Sequence, residues 1–426
     1  MKVKTKATAI LFAASLPFSL QAGEVEDLKA QMMQMQKRLA ELEKKQKQTA
    51  EASATVVEEL AALQNEGLFQ AVDITKSHSG LGAAASKVYY TQNPLSIGGY
   101  GEMYWADSSD KTAITDVYRF VPYIGYKFND WIVLNTELEF EHGGNEVAVE
   151  FMYLDFLLDN NYNIRVGNQL VPMGLVNQRH EPTLFPTVQR PETETLIIPS
   201  TWHETGVIVY GELGMPSLTY HLGFINALNV NSDDTKIGNI KWLRNGRWGS
   251  SEKAPMGKVA VTGRLDYSSI DGLTVGVSAY YGNGSNRDID NVNGTSLFIY
   301  DLHAIYRYEA VTLKGLFTQA MLDDAEKIGP DAVEEAEGYY LTAEYDIMSH
   351  FNNKYRLPIF VQYENYNPVK ETVSGIGELD DIENITFGLN FYPHEQVVLK
   401  ADYQIKDRND GSDEEETLSV GIGFIF

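Results

Sequence analysis

From Pro94 onward the chain alternates apolar and polar residues with period two in segment after segment, and few architectures can use that many alternating segments of such length. The clearest runs from Ile132 to Phe140. Ile132, Leu134, Leu138 and Phe140 share one face, while Asn135, Glu137 and Glu139 share the other. Such a strand sets an apolar environment against water. Strands are expected at 95–106, 115–128, 130–141, 146–158, 162–170, 205–213, 217–226 and 257–268. The second half gives 272–283, 297–308, 310–321, 337–347, 357–366, 383–392, 395–406 and 417–426. Most reach the roughly 9–11 residues that a tilted strand needs to cross a bilayer. Strands of globular sandwiches average about 5–6.

The connections sort in the same sense. Every other link is short, as at Asn129, 159–161, 214–216 and Glu309, and those between are often long and polar, as at 227–256, 284–296 and 407–416. Short periplasmic turns alternating with longer external loops characterise outer-membrane barrels. The expected fold is therefore all-β: a 16-stranded antiparallel transmembrane β-barrel over residues 95–426, with an N-terminal α-helical coiled coil. An even strand count puts both barrel ends on the periplasmic side. The last strand carries Leu418, Val420, Ile422, Phe424 and Phe426 on one face, and Phe426 is expected to be the signal read by the barrel-assembly machinery.

Ahead of the barrel, Lys2, Lys4 and Lys6 precede an apolar stretch from Ala7 to Leu20 and a small residue at Ala22. Residues 1–22 read as a secretory signal peptide, too short in its apolar core for a membrane anchor. Residues 23–66 hold a heptad seam of Val25, Leu28, Met32, Met35, Leu39 and Leu42, resuming at Val56, Leu60 and Leu63. A lone helix would expose that stripe, so a coiled coil in the periplasm, built with further copies of the chain, is expected. Residues 67–94 mix Gly, Ala, Ser and Lys without periodicity and read as a linker.

The longest connection, 171–204, joins the fifth and sixth strands and is the third external loop. Loops above about 15 residues usually have a function. This one is stiffened by Pro182, Pro186, Pro191 and Pro199 and carries Arg179, His180, Glu181, Arg190, Glu192 and Glu194. It is expected to fold inward and narrow the pore. Alternation turns Arg119, Glu137, Glu139, Arg165, Arg264, Arg307, Lys314 and Lys400 toward the lumen as pore wall. That mixture of signs leaves ion preference open. Lys236, Lys241, Arg244, Arg247 and Lys253 form a basic patch in the fourth external loop, suited to anions or lipopolysaccharide phosphates.

The segment Ile164-Arg165-Val166-Gly167-Asn168-Gln169-Leu170-Val171-Pro172-Met173-Gly174 resembles the Arg-x-Gly…Pro-x-Gly entry to the third loop in phosphate-selective porins of the O and P type. Gln189-Arg190-Pro191 and Glu204-Thr205-Gly206-Val207 are similar to that loop's end. The resemblance implies a trimeric 16-stranded channel in the Gram-negative outer membrane, passing ions and small hydrophilic solutes. That family's anion preference rests on arginine and lysine clusters, which the sequence does not locate here. A second reading has the coiled coil as the working part, tethering the outer membrane to the cell wall.

No enzyme is expected. The chain has no Cys, no Gly-x-Ser-x-Gly elbow and no phosphate loop. His-Glu pairs at 180–181, 203–204 and 394–395 lack a second His at zinc-helix spacing, so neither a metal nor a cofactor is expected. A net charge of −25 argues against nucleic acid as a partner. The expected partners are outer-membrane lipid and lipopolysaccharide, the assembly machinery, small solutes and the chain itself.

Overall fold

The computed structural model describes residues 33–45, 47, 70–230, 235, 238–247, 253–254, 256–284, 294–375, 381–408 and 412–426. Two compact units divide the chain, Met1–Asn65 and Glu66–Phe426.

In the first unit, residues 33–45 are helical. Met35, Leu39 and Leu42 of the expected seam are 61–68% exposed there. The leader 1–22 and the seam positions Val25, Leu28, Met32, Val56, Leu60 and Leu63 lie outside the described residues.

The second unit is a barrel of sixteen strands. They are β1 (Leu95–Ser108), β2 (Lys111–Lys127), β3 (Ile132–Glu141), β4 (Glu146–Phe156), β5 (Asn163–Leu170), β6 (His203–Glu212), β7 (Leu218–Asn226) and β8 (Val259–Ile270). There follow β9 (Leu273–Asn283), β10 (Ser296–Tyr308), β11 (Val311–Asp323), β12 (Val333–Asp346), β13 (Pro358–Thr372), β14 (Ile382–His394), β15 (Val397–Asp407) and β16 (Glu415–Ile425). Each pairs antiparallel with its sequence neighbours, and β1 closes on β16 from Tyr100↔Ile425 to Ser108↔Thr417. Closure leaves no strand edge, which is what a sheet in lipid requires.

Alternation sorts the two faces. On β3, Val133, Asn135, Glu137 and Glu139 are buried inside while Phe140 is exposed outside. Leu222, Phe224, Leu302, Leu341, Phe387 and Val420 are likewise exposed, as a lipid-facing band demands. Phe128, Trp131, Tyr162, Tyr308, Phe351 and Tyr355 are exposed at the short-turn end, forming an aromatic girdle there. Within β4 alternation breaks toward its loop-rich end. A bulge pairs Glu137 with Phe151 but Leu138 with Val149, so that Glu150 and Phe151 both face inward.

Residues 67–94 are not a linker where they are described. From residue 70 the chain packs inside the short-turn end of the barrel, with Leu81 and Ala84 only 1% exposed. Ala85 O accepts from Asn135 Nδ2 at 2.8 Å, and Tyr89 donates its hydroxyl to Asp155 Oδ2 at 2.8 Å. Ser79 Oγ meets His221 Nε2 at 2.7 Å. The segment shows no periodicity because it fits a concave wall through its backbone and small side chains, not through an amphipathic face.

Candidate functional site: the lumen and its inserted loop

The connection 171–202 meets inward-facing side chains around most of the ring. On β10, Asp301 accepts from Gly174 N at 3.0 Å; on β13, Glu364 accepts from Thr193 N and Oγ1 at 3.1 Å each. Lys400 of β15 donates to Phe185 O and Thr187 O at 2.8 Å each and lies 3.9 Å over the Phe185 ring. Asp402 accepts from Val188 N at 2.5 Å, and Asn390 donates to Pro186 O at 2.9 Å. The loop therefore lies within the barrel. Wall charges here are hydrogen-bonding partners for a backbone that has no strand neighbour, since a buried unpaired carbonyl or N–H costs about 1–3 kcal/mol.

The loop closes on itself as well. Glu194 Oε2 accepts from Leu175 N and Val176 N at 2.8 Å each, and Tyr340 of β12 donates to Glu194 Oε1 at 2.5 Å. Burial pushes the Glu194 carboxyl up to about 7 against those hydrogen bonds. Gly174 has φ +69, and a side chain there would collide with that carboxylate. Gly167, also at positive φ, stands against Met152 O and Tyr153 Cα, which a Cβ would meet at 2.5 and 2.7 Å. Both glycines of the Arg-x-Gly…Pro-x-Gly segment thus answer to close approaches of backbone and side chain.

An apolar cluster fills the flank of the loop. Met173, Ile197, Ile198 and Trp202 pack with Leu228, Trp242 and Leu243 of the following long connection and with Leu297 and Ile299 of β10. From the expected basic patch, Arg244 donates to Ser200 O at 3.3 Å and Arg247 to Thr201 O at 3.0 Å. Those two arginines brace the third loop instead of facing lipid phosphate. Lys236 is outside the described residues.

The six expected constriction residues separate by role. Glu181 accepts from Ala85 N at 3.0 Å, joining the loop to the segment 70–94. Glu192 pairs with Lys406 at 2.6 Å, and Arg190 donates to His180 O at 3.4 Å. Buried His180 reaches Glu137 Oε1 at 3.1 Å and Glu150 Oε2 at 3.7 Å. Burial disfavours its charge, but those two carboxylates outweigh burial and push His180 up to about 10. Glu194 is the loop's internal acceptor. Arg179 lines a cavity of the lumen.

That space is a cavity of about 320 Å3 below the loop, lined by Arg179, Leu184 and Phe185, by Arg307, Lys314 and Glu344, and by Arg356, Tyr392 and Glu395. Lys314 pairs with Glu344 at 2.8 Å and Arg356 with Asp346 at 3.6 Å. Among the described residues, neither Arg179 nor Arg307 has a carboxylate within ion-pair distance. Burial, and then the Arg307 guanidinium beside it, lower Arg179 from its usual value. Elsewhere the wall cations are spent. Arg119 serves Glu102, Glu139 and Glu141; Arg165 serves Asp155 at 2.9 Å between two tyrosine rings; Arg264 serves Asp266 at 2.7 Å. Arg356 and Glu150 escaped sequence reasoning. Arg356 precedes its strand, and Glu150 follows a bulge that alternation cannot foresee.

Residues 228–426 match a family described as "Putative beta-barrel porin-2, OmpL-like". An uncharacterized protein of Aquifex aeolicus is 34% identical over 363 residues, covering 79% of this chain and 81% of the relative. The fold is similar to an anion-selective porin from Comamonas acidovorans at a TM-score of 0.54 and 15% identity, over 78% of this chain and 99% of that one. It is similar also to OmpT of Vibrio cholerae in a trimer form, at 0.53 and 12% identity over 78% and 99% of the two chains.

Proposed function

Because the chain belongs to the outer-membrane β-barrel porins, we propose that it passes small hydrophilic solutes by diffusion and prefers anions, with the third loop as its constriction. One observation carries the preference: Arg179 of the loop and Arg307 of the wall line the same cavity without a carboxylate partner among the described residues. Four cations and two acids line that space. Since two of the cations are already paired, the charge presented to a permeating ion is positive. Fixed cations in a narrow, poorly screened lumen select anions. A net charge of −25 does not oppose this, because selectivity is set at the narrowest point and not by the sum over the chain.

Planar-bilayer recording tests the reading. Discrete conductance steps are expected, and inorganic phosphate on either side should reduce the chloride current by competing for the arginine pair. An absence of steps would remove the channel reading; chloride current indifferent to phosphate would remove the shared anion site.

The exposed Met35, Leu39 and Leu42 favour a further element, self-association of the chain into trimers through its N-terminal helix. Deleting residues 24–66 separates assembly from tethering. Lost trimers with intact envelope attachment support assembly, whereas retained trimers with lost attachment support the tether to the cell wall.

A further inference from the structure

We propose that Glu137, Glu150 and His180 form a binding site for a divalent transition-metal cation of the zinc class, which fastens the tip of the third loop to the barrel wall. Each residue offers one ligand atom, and all three atoms lie within 4.8 Å of one another. His180 Nε2 stands 3.1 Å from Glu137 Oε1 and 3.7 Å from Glu150 Oε2. Ligand atoms around a tetrahedral ion at about 2.0–2.2 Å are separated by about 3.3–3.6 Å, and both distances from Nε2 lie within a few tenths of an ångström of that range. A water supplies the fourth position.

Three further features point the same way. His180 Nδ1 lies 2.8 Å from Asn177 O, and donating there leaves Nε2 to face the carboxylates. Metal-bound histidines are held in that manner, one ring nitrogen tied to a backbone carbonyl and the other on the ion. Glu137 and Glu150 are 0% and 2% exposed, and the Oε2 atom of each lacks a hydrogen-bond partner among the described residues. Buried carboxylate oxygens are rarely left so. The β4 bulge, finally, is what aims Glu150 inward. Bulges recur where a side chain must be re-aimed for function.

Charge balance agrees. Arg119 is the guanidinium at this end of the wall, and Glu102, Glu139 and Glu141 already share it at 3.4, 3.4 and 2.7 Å. Among the described residues, His180 is the cationic side chain within ion-pair distance of both Glu137 and Glu150. A dication neutralises that pair, taking the place of the proton on Nε2. One imidazole with two carboxylates suits zinc, cobalt or manganese, whereas calcium and magnesium prefer oxygen alone.

The test uses the full chain, purified in detergent, stripped with chelator and titrated with Co2+ and Zn2+. One equivalent per chain is expected, with a low-symmetry visible Co2+ spectrum that Zn2+ abolishes. Glu137→Gln and Glu150→Gln keep the side-chain shape, and each should weaken binding at least about tenfold. Asp413→Asn with Glu414→Gln, in the 407–416 connection, should leave it unchanged. Chelator should lower the unfolding temperature of the wild type but not of Glu150→Gln. Failure to bind one equivalent, or equal binding by the wild type and a folded Glu137→Gln/Glu150→Gln double variant, would overturn the proposal.

Discussion

Tyr340 on β12 donates its hydroxyl across 2.5 Å to the Glu194 carboxylate, the same carboxylate that caps Leu175 N and Val176 N within the third loop. One acid thus links the barrel wall to both limbs of the loop. Its pKa is raised to about 7 by burial, above an unfolded value of 4.5. The folded state therefore binds this proton more tightly than the unfolded one. The stabilisation is complete below the unfolded value and is lost as pH rises through about 7. The window is worth on the order of 3 kcal/mol. Thermal unfolding followed from pH 4 to 9 should show a midpoint falling between about pH 5 and 8. Glu194→Gln should flatten that segment, and an unchanged slope would contradict the assignment.

Lys400 holds two loop carbonyls, and its replacement removes both bonds at once. Lys400→Met keeps the stem that packs on Phe185 but orphans Phe185 O and Thr187 O, at about 1–3 kcal/mol each. The barrel has many other contacts, so the loss should appear as loop mobility before it appears as unfolding. Single-channel traces should be noisier, with a larger mean conductance. Traces matching the wild type would mean that Asp402 and Asn390 suffice to hold this stretch.

Gly143 and Gly174 share a φ of +69 but not their surroundings. Nothing lies within 4 Å of a Cβ at Gly143, so alanine there costs only the backbone strain, about 1–2 kcal/mol. At Gly174 alanine also meets the Glu194 carboxylate and must displace it from its hydrogen bonds. Chemical unfolding should rank Gly174→Ala well below Gly143→Ala, and equal stabilities would refute the close approach.

The segment 70–94 touches the loop at Gly82 and Ala85. Gly82 N donates to Gln178 O at 3.2 Å, and any side chain at position 82 would strike Glu181. Gly82→Val should loosen this segment from the lumen, increasing conductance and opening the 70–94 stretch to protease. Unaltered conductance together with unaltered protease resistance would show that the segment tolerates the intrusion.

What could be read beforehand follows from the range of each interaction. The strands from Leu95 to Ile425 were legible because lipid outside and water inside impose period two on each, without reference to any neighbour. Inward cations such as Arg119 and Lys400 followed from the same parity. Their partners did not: Lys400 meets Thr187 more than two hundred positions away, and Glu137, Glu150 and His180 come together only when a bulge and an inserted loop converge. Residues 70–94 misled for a related reason. A Gly-, Ala- and Ser-rich stretch carries no amphipathic signal, and its order comes wholly from the wall it fits.

Reversal potential in a salt gradient, for wild type and for Arg179→Ala/Arg307→Ala, measures the central claim most directly. With tenfold more potassium chloride on one side, the wild type should reverse at a potential of the sign set by chloride, and the double variant should move toward zero or beyond. A wild-type reversal potential set by potassium, or an anion preference untouched by losing both arginines, would contradict the account.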